Sequence, residues 1–194
     1  MHQHAYLRDG FIMTPLVALS FSIAVLGAVW AFLALGPLAG FVLVWAGFIA
    51  WGCYFHSGKS LPKTIAGTAY GAFVGWIALL IIVNAPMPAL GTAFPALVVG
   101  VTVFFLVIVA SVDLLSVVPA NVYGYAAIVG YSLHQPSAAP STGPLQNLTA
   151  VSFANPLLLL IASMVLGALF GYASGQLAEA LTRKPQTAAR PVQA

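Results

Sequence analysis

The chain has 194 residues and a formal net charge of +3, with 61% hydrophobic and only 5% charged side chains. A water-facing surface draws on roughly 25% charged residues, so this inventory excludes a soluble enzyme, a nucleic-acid binder and a disordered chain. The acids are Asp9, Asp113 and Glu179 and the single cysteine is Cys53, which rules out an intramolecular disulfide and a cysteine-rich metal site.

A membrane-crossing helix takes about 20 mostly apolar residues. The first such run is 14–35, with Pro15 in its opening turn, where a missing N–H costs nothing. Its length and the lack of a small-x-small site argue against a cleaved signal peptide. Residues 1–13 before it read as a cytoplasmic segment. Gly36-Pro37 breaks the chain, and the second run is 38–56, ending at His56. A polar loop from Ser57 to Lys63 leads to a third run, 64–83, which the prolines at 86 and 88 stop. The stretch from Pro95 to Leu133 is about twice one span. Splitting it between Asp113 and Val118 gives helices at 95–112 and 119–133. Residues 134–155 form a polar loop without charge, and the sixth run is 156–181. Residues 183–194 read as a disordered basic tail. The expected fold is an all-α integral membrane protein, one domain of six transmembrane helices over 14–182.

Lys and Arg set the orientation. Arg8, Lys59, Lys63, Arg183, Lys184 and Arg190 all fall on one side of a six-helix topology. Both termini are therefore expected in the cytoplasm of a bacterial inner-membrane, multi-pass protein. Labels at Ser60 and Ala188 should react from that side, and one at Ser141 from the other.

The halves resemble each other. Gly67, Gly71 and Gly75 in the third helix match Gly167, Gly171 and Gly175 in the sixth. Gly52 precedes His56 as Gly130 precedes His134, and Pro15 matches Pro95. Glycines at i, i+4 and i+8 share a helix face and let backbones approach closely. With three helices each, the halves would be inverted repeats, the third and sixth helices packing on each other or on equivalent partners. Such repeats are common in transporters, with the pathway between them.

The run from Trp45 to Phe55, the segment Val118-Pro119-Ala120-Asn121-Val122-Tyr123-Gly124, and Gly167 to Ala173 resemble the YcdZ-like bacterial inner-membrane proteins, domain-of-unknown-function family 1097. The resemblance spans roughly 14–182. The family usually has Pro-Gly-Thr-Phe where this chain has Pro119-Ala120-Asn121-Val122. It implies an integral inner-membrane protein and supplies no catalytic residue.

His56 and His134 would end their helices on opposite membrane faces, about 30 Å apart, so one haem iron cannot take both. Asp113 falls at a cytoplasmic turn, and Glu179 is four residues from Arg183, a favourable helix pair. The candidates for a pore lining are Asn121, Tyr125, Tyr123, His56, His134, Tyr54 and Thr68, set against their ordinary roles as caps, interhelical bonds and interface anchors. The helix interiors lack the acids and bases that proton- or sodium-coupled carriers use. No catalytic or metal motif stands out, so neither an enzyme nor a cofactor is expected. The sequence therefore reads as a facilitative channel or transporter for a small neutral or weakly ionised solute, as a homo-oligomer in lipid. The alternative is a non-transport accessory or assembly subunit of a larger membrane complex.

Overall fold

The computed structural model describes residues 13–134 and 143–182; Ser141, Ala188, Arg183 and the tail lie outside them. Helix α1 spans Pro15–Leu35, α2 Val44–His56, α3 Leu61–Asn84, α4 Ala93–Ile108, α5 Val118–His134 and α6 Pro156–Thr182. Four stretches, α1, α3, α6 and Ala93–Ser111, are long and apolar enough to cross a membrane. The Thr14 hydroxyl accepts the Val17 N–H, and Pro15 opens α1 as its sequence position suggests.

The second helix begins at Val44, later than residue 38. Glycines 36 and 40 bracket Pro37, and Gly40 sits at φ +83°, so 36–42 folds into successive turns. The Leu43 N–H, which has no helical acceptor, donates instead to the Ser163 hydroxyl of α6 at 2.8 Å. The Trp30 indole of α1 donates to the Val44 carbonyl at 3.0 Å. At 13 residues, α2 is about 20 Å long, short of a hydrocarbon layer of roughly 30 Å. Between α4 and α5 the chain does break near Asp113, but α4 ends at Ile108 and two 3-10 turns, Val109–Ser111 and Asp113–Leu115, follow. Val112 is extended between them.

The most extensive pairings are α3 with α5 and α2 with α6; α1 lies on α6, α4 on α3, and α3 also meets α6. Exchanging α1, α2 and α3 for α4, α5 and α6 turns this set of pairings into itself. Both glycine stripes are at the closest approaches, but their main partners are α5 and α2 rather than each other. Gly67 faces Ala120 and Asn121, Gly71 faces Asn121 and Tyr125, and Gly75 faces Tyr125 and Ile128. Gly167 faces Gly47, Gly171 faces Trp51 and Tyr54, and Gly175 faces Tyr54. Residue numbers rise together on both sides, so each pair runs parallel. A methyl on Gly71 would meet the Asn121 carbonyl oxygen, and one on Gly167 the Gly47 carbonyl oxygen.

Candidate functional site: the seam between the short helices

Helices α2 and α5 meet along a cleft of about 390 Å3, lined by Trp45 and Ile49 of α2 and by Tyr123, Ala126, Ala127, Gly130 and Tyr131 of α5. The α5 residues share one face because 123, 127 and 131 are spaced by four. A Cβ on Gly130 would meet nothing within 4 Å, so the glycine leaves the cleft open. An indole, two phenols and small apolar side chains give an uncharged lining that can exchange hydrogen bonds. Trp45 is 39% and Tyr123 44% exposed.

The other sequence candidates divide sharply. Tyr123 is in the cleft. Tyr125 and Asn121 are on the opposite face of α5, turned toward α3 and α4, and Tyr125 borders a separate, apolar cavity. The Tyr125 hydroxyl is 3.0 Å from the Thr102 hydroxyl of α4. Asn121 is fully buried, its amide donating to Leu106 at 3.3 Å and Leu115 at 3.0 Å. It clasps the α4–α5 connection, and its unbonded Oδ1 abuts Gly67. Thr68 is buried and donates to the Thr64 carbonyl within α3. Tyr54 is buried against α6, ring to ring with Tyr172 at 6.2 Å. His56 and His134 are exposed helix ends that line none of the cavities described here. Trp45, Ile49 and Tyr131 complete the cleft; the sequence offered Tyr131 as a helix-five aromatic beside Tyr123, but gave no signal for Trp45 and Ile49.

Two further cavities lie between the peripheral helices and the core. One, of about 350 Å3, is almost wholly apolar and includes Pro95, Val99, Ala78, Leu79, Ile82, Val129 and Leu133. The other, of about 170 Å3, includes Pro15, Leu19, Ala178, Glu179, Thr182, Phe55 and Lys59. Seven lining residues of each cavity correspond, whereas Val83, Ala96, Tyr125 and Leu145 of the first and Gly175 of the second have no counterpart in the other. Pro15 and Leu19 match Pro95 and Val99; Ala178, Glu179 and Thr182 match Ala78, Leu79 and Ile82; Phe55 and Lys59 match Val129 and Leu133. Within each helix pair the shift is constant. It equals the offset of the opening prolines for α1 and α4, that of the glycine stripes for α6 and α3, and that of the first residues Val44 and Val118 for α2 and α5. This register matches Trp51 with Tyr125, and it displaces the Gly52–His56 and Gly130–His134 alignment by about one turn. The buried polar groups follow it. The Trp51 indole donates to the Ser174 hydroxyl at 2.9 Å, and Ser22 donates to the Ser174 carbonyl at 2.8 Å. At the matching places, Tyr125 meets Thr102.

Both ion pairs among the described residues join one half to the other at the same end of the bundle. Lys59 meets Glu179 at 2.8 Å and Lys63 meets Asp113 at 2.6 Å. The expected Glu179–Arg183 pair lies outside the described residues, and Lys59 holds Glu179 in the observed pair. The hydrogen bond to Glu179 raises the Lys59 ammonium above its ordinary value, outweighing the opposing effect of desolvation. No group of three or more His, Cys, Asp or Glu side chains suited to a metal occurs among the described residues.

The class this defines is an all-helical membrane protein with helices of spanning length and an uncharged aromatic cleft where its two triplets of helices meet. The chain belongs to the family described as Protein of unknown function (DUF1097), which it matches over residues 20–179. No curated protein and no solved structure matches it.

Proposed function

We propose that the protein is a facilitative channel or transporter for a small neutral or weakly ionised solute, inserted in the bacterial inner membrane as two inverted repeats with both termini cytoplasmic. The observation that carries this reading is the correspondence of seven lining residues between the two peripheral cavities, which supports relating α1–α3 to α4–α6 by an approximate two-fold operation. Three helices per half make that operation an inversion across the membrane. In inverted-repeat transporters, pathways run at the repeat interface and use interrupted helices. Here α2 and α5 are short, start from non-helical backbone, and border the cleft of Trp45, Tyr123 and Tyr131. Irregular backbone at membrane depth is tolerated only where protein buries it or water lines it. Selection by such a route rests on width and hydrogen-bonding groups. The cavity beside Leu79 and Val129 is lined almost wholly by apolar side chains and suits a polar solute less well than the cleft.

The basic residues put the end carrying Lys59 and Lys63 in the cytoplasm. We expect a homo-oligomer, because α2 and α5 leave part of the bilayer thickness uncovered. The accessory-subunit reading has one observation in its favour: the open side of the cleft exposes Trp45 and Tyr123, where a partner helix would fit.

Stopped-flow shrinkage of proteoliposomes under gradients of urea, glycerol and acetic acid tests the proposal. Flux above empty liposomes is expected for at least one of these, altered by Tyr131→Ala and by Trp45→Ala. Wild-type protein with no flux, recovered from native membranes in fixed ratio with a larger complex, overturns it in favour of the accessory subunit.

A further inference from the structure

Residues 143–155, the described part of the connection from α5 to α6, lie on the end of the bundle opposite the ion pairs, and Leu148 and Asn155 among them are buried. Leu148 is 2% exposed and belongs to the same core cluster as Ala46, Ala50, Ile128, Leu160 and Met164. That cluster joins α2, α3, α5 and α6. The Leu148 carbonyl accepts two side-chain hydrogen bonds, from the Trp76 indole at 2.7 Å and from the Asn155 amide at 3.0 Å. Trp76 is two turns inside α3, whose last residue is Asn84, so the backbone of the residue that holds this carbonyl lies about 12 Å before the end of that helix. Asn155 also donates to the Ala150 carbonyl at 3.0 Å, and Phe153 packs edge-on against Phe41 at 5.3 Å. The matching connection at the other end, between α2 and α3, is the short turn 57–60 and inserts nothing comparable.

We propose that this segment is a stopper on the outer end of the seam, with Leu148 as its plug and Trp76 and Asn155 as its latch. The inference rests on the pathway reading and adds its regulation. Ile49, Ala127 and Tyr131 line the cleft and also pack against or belong to the Leu148 cluster, so withdrawing Leu148 opens the outer end of the four-helix core toward the cleft. The latch is uncharged and is made to a backbone carbonyl. Opening therefore breaks hydrogen bonds without exposing a buried charge, as suits a route that carries no charged groups.

The test uses Ala46→Cys in a Cys53→Ala background, in spheroplasts exposed to a membrane-impermeant thiosulfonate, with flux measured in parallel in proteoliposomes. Ala46 is fully buried near the outer start of α2. Trp76→Phe removes one latch bond and is expected to speed labelling by up to about tenfold. Leu148→Ala is expected to speed it further, and both should raise solute flux. Trp76→Phe carries the test if Leu148→Ala fails to fold. Labelling that is unchanged in the folded variants overturns the stopper, whatever the flux, and leaves wild-type flux to judge the pathway. Faster labelling with no flux from any protein overturns the pathway reading and with it the gating role.

Discussion

Glycine is where the sequence constrains this molecule most tightly, but the stripe positions are unequal. A Cβ on Gly71 would run into backbone that cannot move away, whereas one on Gly171 would lie 3.1 Å from the Tyr54 Cβ and 3.2 Å from the Trp51 carbonyl oxygen. Gly71→Ala and Gly167→Ala are expected to cost at least the 1–3 kcal/mol typical of overpacking, roughly speaking, and Gly171→Ala less. Thermal unfolding in detergent reads the order, with Gly100→Ala as the control because nothing lies within 4 Å of its Cβ site. Gly40 has open space too, but its φ of +83° strains any other residue. Asn121→Leu removes both amide donors to the α4–α5 connection and is expected to destabilise by about 1–3 kcal/mol, measured the same way. The sequence marked Asn121 as polar and helical. Its pairing with carbonyls across the connection depends on where α4 ends, which no local pattern announces.

At the scale of elements, α1, α3 and α6 were legible because long apolar runs bounded by Pro, Gly and Asn have one reading at membrane length. The break near Asp113 was legible from length alone. The late start of α2 was not, since hydropathy does not distinguish an apolar turn from an apolar helix, and only the φ of Gly40 and the Ser163 bond separate them. The partners of the glycine stripes were equally hidden: a stripe records close approach and not who approaches. The buried course of Leu148 could not be read from a loop whose composition is that of any polar connection. The half-to-half ion pairs also belong to this scale. Because Lys59 is raised by its partner, its contribution is fully present below the unfolded lysine value of about 10.4 and is lost as pH rises through the raised folded value. The pair is about half exposed, so the contribution is about 0.2–1 kcal/mol. Glu179→Gln is expected to lower the melting temperature at pH 8 slightly, and the gap from wild type should close as pH rises through the raised Lys59 value. A gap that stays constant across that range would assign Glu179 another role.

For the whole molecule, the glycine offset suggested a duplication, and seven matching cavity residues support the register proposed for it. Each of the three helix pairs has its own constant shift, and the one for α2 and α5 differs from the histidine alignment by a turn. In the proposed repeat the register follows buried residues such as Trp51 and Tyr125, while the histidines are exposed helix ends. The two cavities have diverged chemically. Lys59 and Glu179 stand at one end where Leu133 and Leu79 stand at the other, as expected if one faces the cytoplasm and the other the opposite leaflet. Lys59 and Leu133 are thus equivalent positions that an inverted repeat must present to opposite sides. The decisive measurement is two-sided accessibility of Lys59→Cys and Leu133→Cys, each in the Cys53→Ala background, to an impermeant thiol reagent in right-side-out and inverted vesicles. The account predicts that Lys59→Cys reacts only from the cytoplasmic side and Leu133→Cys only from the other. Reaction of both from the same side would contradict the inversion and remove the basis for a pathway between the halves.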